Sequence, residues 1–414
     1  MATIEALDAY QILDSRGRPT VAARVTLSNG LVAEAHAPSG ASTGRHEAVE
    51  LRDGDPAHYA GLGVLRAVEN VKTEISSALA GRPVEDQAGI DRAMIDVDGT
   101  PDKSRLGANA IVATSCAVAR AAAMSLGVPL WRYLAGSRQA TLPLPMINIL
   151  SGGLHAEHNI EFQDFLVMPH GFQTFAESLE AAVRIHAAAR DLILGRGYRL
   201  TGVADEGGWG PALSSNVEAL DLVAQAIGRS GYRSPDQVSI AIDVASTHFY
   251  RDGAYHLATE DAVLSTAAMI ERLDTWSRRY PVLSIEDGLH EDAWEDWPQL
   301  TRRLGDRVQV LGDDLFTSNP ERVRRGVAEN AANAVLVKMN QIGTLTETFQ
   351  VIDTCRAHGW KAVVSARSGE TEDSFLSDLA VAAGGAQIKV GSITRSERLA
   401  KYNRLLAIEK AFSD

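Results

Sequence analysis

A chain of 414 residues, 45% hydrophobic and 22% charged, has an ordinary globular composition and is long enough for two domains. Its net charge of -13 argues against nucleic acid and against an anionic membrane surface, since both need basic patches. The two cysteines, Cys116 and Cys355, lack metal-type spacing and fit a reducing cytoplasm; Met1–Ala6 has no basic cap before an apolar core, so no signal peptide is expected.

Residues 3 to 36 alternate in the manner of strands. Val21–Leu27 and Leu31–Ala35 flank the turn Ser28-Asn29-Gly30, a hairpin signal. The following Ala37–Gly44 is small and glycine-rich. It offers hydroxyls and backbone groups to a phosphate or a metal, or it is a plain flexible loop. From Glu47 to Leu134 the spacing is mainly helical. Gly107–Val128 is apolar and alanine-rich but carries Asn109 and Arg120, so it reads as a helix packed inside the protein. Strands first and helices after make residues 1–135 an α+β domain. Residues 136–145 cross to a second domain spanning 143–414.

That domain opens with Met146–Leu150 and the polar loop Ser151–Asn159, whose His155 and His158 read either as surface or as site residues. Glu161–Met168 is a second early strand, and Thr174–Leu194 is helical. An acidic pair, Asp205-Glu206, then sits on a glycine-rich turn. Six short apolar runs with polar ends follow: Val238–Asp243, Val282–Asp287, Val308–Asp314, Ala334–Gln341, Ala362–Arg367 and Ala386–Lys389. From Asp313 the polar ends recur at intervals of 25, 29 and 22 residues, with helical sequence between them. This is the rhythm of parallel strands joined by helical crossovers, an α/β architecture. Carboxylates, lysines and an arginine gather at strand C-termini, the face on which a β/α barrel builds its site.

Asp243, Glu286 and Asp313 end three successive strands and supply the hard oxygens that Mg²⁺ prefers. Helix caps or rim salt bridges are the alternative for each acid taken singly. Lys338 and Lys389 end the fourth and sixth strands and face the acids. Burial is expected to lower the pKa of Lys338 toward the range of a base. Arg367 and Ser368 end the fifth and suit a phosphate. Together these residues suggest a phosphorylated carboxylate held on Mg²⁺ while a lysine removes its α-proton.

Asp14-Ser15-Arg16-Gly17, Ser39–Gly44, Leu106–Asn109, Asp205–Gly208, Ser284–Asp287, Gly312–Leu315, Lys338–Leu345, Arg367–Asp373 and Arg395–Arg398 resemble, in this order, the enolase family. Enolase-superfamily sites are themselves a standard example of a lysine or histidine base working with Mg²⁺. The resemblance covers nearly the whole chain and implies an N-terminal α+β capping domain on a modified, TIM-like β/α barrel. It implies that Asp243, Glu286 and Asp313 hold a first Mg²⁺ and that Ser42 helps hold a second. Lys338 becomes the base at C2 and Glu206 the acid at the C3 hydroxyl, with His155 and Asp164 beside them. Lys389 meets the substrate carboxylate, Arg367 and Ser368 the phosphate, and Gln163 and Ser42 also touch substrate. A cytoplasmic homodimer or higher assembly is expected.

Two positions within the site depart from the family: Asp164 stands where it has glutamate, and Ala366 where it has histidine. Asp164 is shorter by one methylene, roughly 1.5 Å of reach. Ser151 for asparagine, Gly288 for proline and a shortened C-terminus are lesser departures. Metal ligands and phosphate arm are kept while the surroundings of the leaving hydroxyl change. That selectivity favours a diverged paralogue making carboxyphosphonoenolpyruvate, with a nucleotide-activated phosphonoformate as second substrate. The alternatives are an ordinary enolase, converting 2-phosphoglycerate to phosphoenolpyruvate, and a catalytically silent enolase-like binding protein.

Overall fold

The structure, a computed structural model, describes residues 1–41 and 43–413; Ser42, expected in the second ion site and at the substrate, lies outside the described residues. Strands β1 (Ile4–Leu13), β2 (Pro19–Leu27) and β3 (Val32–His36) form an antiparallel sheet. The β2–β3 turn needs Gly30, whose φ of +82° few side chains adopt. The helix Ala108–Leu126 packs on β2 and β3. It is long and apolar enough to cross a membrane, yet most of it is buried, so its apolarity serves a core.

The expectation of helix from Glu47 onward fails for the first part of that stretch, since helical structure starts only near Tyr59–Gly61 and Leu65–Asn70. Residues 47–58 are instead held by side chains. Arg52 donates to the carbonyls of Pro19 (2.6 Å) and Leu62 (2.7 Å), and Asp53 accepts from the backbone amides of Leu65 and Arg66 (both 2.9 Å). Such tertiary partners override a helical pattern.

The second sheet is a closed eight-stranded barrel. Its strands are β4 (Leu144–Ser151), β5 (Asp164–Met168) and β6 (Ser239–Asp243), then β10 to β14. Between them a small antiparallel sheet, β7 (Tyr250–Arg251), β8 (Ala254–Leu257) and β9 (Ala262–Leu264), interrupts the expected rhythm. The remaining barrel strands are β10 (Val282–Glu286), β11 (Gln309–Gly312), β12 (Ala334–Val337), β13 (Lys361–Ser365) and β14 (Gln387–Gly391). All neighbours are parallel except β5, which runs against both β4 and β6. The β4–β5 link is a short loop with one helical turn, Gly153–Ala156, and holds no crossover helix, so the next strand must return.

The reversal decides where β5 contributes. Its first residue, Asp164, pairs in register with Asp243, the last residue of β6. A strand start is thereby delivered to the face where the parallel strands end. Lower in the barrel, Met146, Leu166, Met168, Ala241, Leu311, Ala334, Leu336 and Val363 fill the interior as an apolar plug. Alternate residues along each strand share a face, so two positions above Leu166, Ala241, Leu311 and Leu336 stand Asp164, Asp243, Asp313 and Lys338.

Asp91 fastens the first sheet's helices to the barrel. It accepts Ser115 Oγ (2.7 Å), Thr346 Oγ1 (2.6 Å) and Thr346 N (2.9 Å). Lys103 pairs with Glu347 (3.1 Å) and Arg120 with Asp373 (2.6 Å) across the same boundary.

Candidate active site

Six barrel strands converge at one mouth. Lys389 Nζ donates to Asp243 Oδ2 and Glu286 Oε2, each at 2.7 Å. Burial opposes its charge, but Asp243 and Glu286 outweigh burial and raise its pKa well above the ordinary lysine value. Lys389 was expected at the substrate carboxylate; here it bridges two of the expected metal ligands. The ammonium of Lys338 is paired with Asp313. Burial lowers its pKa, as expected from the sequence, yet Asp313 more than reverses this and the net direction is upward. The expectation of a lowered Lys338 is corrected on that ground: the strand ends show that it faces the acids, but not that a direct ion pair with Asp313 outweighs its burial.

Glu286 Oε2 shares Lys389 with Asp243, its register partner on β6. Burial first, then the charges of Asp243 and Asp313, push the Glu286 carboxyl well above its usual range. Gln163 Nε2 donates to Asp243 Oδ2 (3.3 Å), while its buried amide oxygen has no partner. Three crowded carboxylates and an orphaned amide oxygen are a hard-oxygen set short of positive charge, which fits Mg²⁺. The site has two closer acidic groups, with ligand atoms within 4.8 Å of one another: His155, Asp164 and Glu206; and Asp287, Asp313 and Asp314. In the second, Asp287 already accepts the backbone amides of Asp313 and Asp314, both at 2.9 Å, so it shapes the β11 loop.

His155 lies between two acids, with Nδ1 2.9 Å from Asp164 Oδ2 and Nε2 3.8 Å from Glu206 Oε1. Burial alone would discharge it, but Asp164 and Glu206 lift its pKa to about 9, so it is an imidazolium at neutral pH. Two departures from the family meet here. Ser151 Oγ donates to Asp164 Oδ1 (2.9 Å) and accepts from Asn148 Nδ2 (2.8 Å), and that amide also donates to Asp164. The shorter acid is thus fully bonded. Ala366, the other departure, is buried in the apolar core, and its amide donates to Lys389 O (2.9 Å).

The turn bearing Glu206 rests on His186. This ring stacks on Trp209 (centroids 4.5 Å apart), and its Nε2 lies 3.2 Å from Gly207 O. Burial drives its pKa down to about 4. A histidine neutral when folded and titrating near 6.5 when unfolded takes up its proton only on unfolding between those values, so it destabilises the fold as pH falls through that window. The expected loss is roughly 3 kcal/mol at about pH 4, at 1.36 kcal/mol per pH unit. His186→Asn, which keeps a donor and does not titrate, should flatten that limb in urea unfolding between pH 4 and 7; an unchanged limb refutes the assignment.

On the opposite wall Arg367, 2% exposed, sits at the end of β13. Its guanidinium meets Glu47 through Nη1 (2.9 Å) and Nη2 (3.2 Å) and donates to Asn340 Oδ1 (3.1 Å). Ser368 Oγ accepts from Ala41 N (2.7 Å) and Arg16 Nη1 (3.3 Å). Beneath them the buried Arg398 donates to the carbonyls of Arg367 (2.6 Å), Ser368 (2.6 Å) and Val390 (2.9 Å). Arg398 closes the motif Arg395–Arg398, and Asn340 and Gln341 follow Lys338 in the sequence, but no local signal gives these residues or Glu47 a role. Gln341 Nε2 donates to Asp313 Oδ1 (2.9 Å) and to Glu47 Oε1 (3.3 Å).

Comparisons with known proteins identify a family. The family description "Enolase, N-terminal domain" matches residues 4–134, and "Enolase, C-terminal TIM barrel domain" matches residues 139–414. Over 415 aligned positions the sequence is 49% identical to a protein named Enolase from Helicobacter hepaticus (strain ATCC 51449 / 3B1), covering 100% of this chain and 97% of that protein. With both domains matched along almost the whole length, the chain belongs to the enolase family.

Proposed function

We propose that this protein is an ordinary enolase, a hydro-lyase interconverting 2-phosphoglycerate and phosphoenolpyruvate. The observation that carries this reading is the closed network around Asp164. Ser151, Asn148 and His155 all engage the shorter acid, as expected of a tolerated substitution with its compensation in place. The burial of Ala366 in the core gives no support to a chamber for a bulkier phosphorus group. Identity of 49% to a named enolase supports the same reading, so the phosphonate transferase expected from the departures gains no backing.

In this reading Asp243, Glu286 and Asp313, with the Gln163 amide oxygen nearby, would hold Mg²⁺. When bound, the ion supplies Lewis-acid stabilisation of charge developing on the substrate carboxylate. Lys338 takes the C2 proton at Nζ only as the neutral amine, so its ammonium, once freed from Asp313, first gives its own proton to solvent. Burial pushes the Glu206 carboxyl up, but His155 and the nearby cations hold it below its usual range. Glu206 must therefore take up a proton from solvent before it can give one to the departing C3 hydroxyl, and the imidazolium of His155 balances the carboxylate it leaves. Lys389 neutralises the carboxylate end, while Arg367 and Ser368 orient the phosphate. Ser42, outside the described residues, is the residue proposed to help hold a second ion.

The test follows phosphorus by NMR with Mg²⁺ and 2-phosphoglycerate, with and without a nucleotide-activated phosphonoformate. Rapid phosphoenolpyruvate formation from the first substrate alone is expected. A new phosphorus ester formed only with the second would overturn the reading in favour of the transferase. No reaction and no Mg²⁺ binding would point to a silent protein. Asp164→Glu is expected to lower turnover about tenfold or more, because the longer side chain overfills a network built for aspartate. Ser151→Asn added to it should recover part of that loss; a gain from Asp164→Glu alone contradicts compensation.

A further inference from the structure

We propose that Glu47, contributed by the N-terminal domain, is the positioning residue that sets Arg367 in its phosphate-binding orientation, an inference resting on the reaction proposed above. Glu47 lies 320 residues from Arg367 in the chain, yet each of its carboxylate oxygens faces one terminal nitrogen of the guanidinium. A fork-to-fork pair of this kind fixes the plane of the guanidinium as well as its place, which a single contact does not. The pair is desolvated on both sides, with 2% of the Arg367 side chain and 8% of the Glu47 side chain exposed.

Glu47 is also held from two further directions. Its Oε1 accepts the backbone amide of Gly44 (2.9 Å), where the glycine-rich loop ends, and the Gln341 amide (3.3 Å), which donates as well to Asp313 (2.9 Å). A cavity of about 310 Å³ lies beside it, lined by Gly40, Thr43, Gly44, Arg52 and Asn340 among others. Glu47 therefore links three things through one carboxylate: the end of the loop, the phosphate arm on β13, and the acid that ends β11. The carboxylate that meets this guanidinium fork to fork comes from the N-terminal domain, so the phosphate arm on β13 is set from across the domain boundary.

Glu47→Gln keeps the shape and removes the charge; Glu47→Asp keeps the charge and shortens the reach. Binding of 2-phosphoglycerate and of D-glycerate, which lacks the phosphate, is measured by calorimetry on the full-length Mg²⁺-loaded protein, with kcat and KM alongside. The expected result is a 10- to 100-fold weaker affinity for 2-phosphoglycerate in Glu47→Gln, a corresponding rise in KM larger than any fall in kcat, and unchanged D-glycerate affinity. Glu47→Asp should fall between the two, and in an Arg367→Gln background Glu47→Gln should add nothing. If Glu47→Gln fails to fold, Glu47→Asp alone carries the comparison of the two ligands. Equal loss of both ligands, or unchanged 2-phosphoglycerate affinity, overturns the inference while leaving the proposed reaction standing. A wild type that neither binds nor dehydrates 2-phosphoglycerate removes both.

Discussion

Replacing Lys338 by methionine is expected to lower kcat by on the order of 10³-fold or more, since a positioned general base contributes about 10²- to 10⁴-fold. Methionine keeps the unbranched apolar stem and lacks only the terminal ammonium. Its effect on stability should depend on the metal. Without Mg²⁺, Asp313 loses the ammonium that faces it and becomes an unpaired buried charge. Breaking a buried pair in this way costs about 3–5 kcal/mol. With Mg²⁺ present the cation takes over that role, and the deficit should shrink. Thermal unfolding of both proteins in EDTA and in excess Mg²⁺ separates the two contributions. A variant equally destabilised in both buffers would show that Asp313 does not meet the ion, and retained turnover would remove Lys338 from the chemistry.

Glu286→Gln is expected to be nearly as damaging, through the ion. In the metal-free fold burial, then Asp243 and Asp313, push the Glu286 carboxyl well above its usual range, while Lys389 pulls against them. A cation must displace any proton held there, and Mg²⁺ affinity therefore falls as pH drops below the raised value. Calorimetry of Mg²⁺ binding in buffers of different ionisation enthalpy should reveal proton release in the wild type and less in Glu286→Gln. The variant should bind Mg²⁺ at least tenfold more weakly and lose stabilisation by the ion, which for a ligand at 100 times Kd is about 2.7 kcal/mol. Wild-type Mg²⁺ affinity that does not fall with falling pH any sooner than that of Glu286→Gln would contradict the upward shift of Glu286.

The residues readable beforehand were those whose place follows from strand ends. Asp243, Glu286, Asp313, Lys338, Arg367 and Lys389 each close an apolar run, and a parallel barrel sends all such ends to one face. What could not be read was anything dependent on direction or on distant pairing. The run Asp164–Met168 looks the same whichever way it points, and only the lack of a crossover helix before it implies reversal. Glu47 stands in a stretch of helical spacing, and nothing local marks a carboxylate whose partner lies on a strand far along the chain. The strand ends put Lys338 opposite the acids, but the balance between its desolvation and the pull of Asp313 is a matter of distance, which only the fold fixes.

The backward run of β5 has a consequence for how such a site diversifies. Ser151, His155 and Asp164 all belong to one hairpin, whereas the cation's acids and both lysines come from five separate strands. One contiguous cassette can therefore be rewritten, or transplanted from a relative, with the three acids left in place, provided that Gln163 is kept against Asp243. Chimeras exchanging that hairpin should keep their magnesium and change only how the hydroxyl departs.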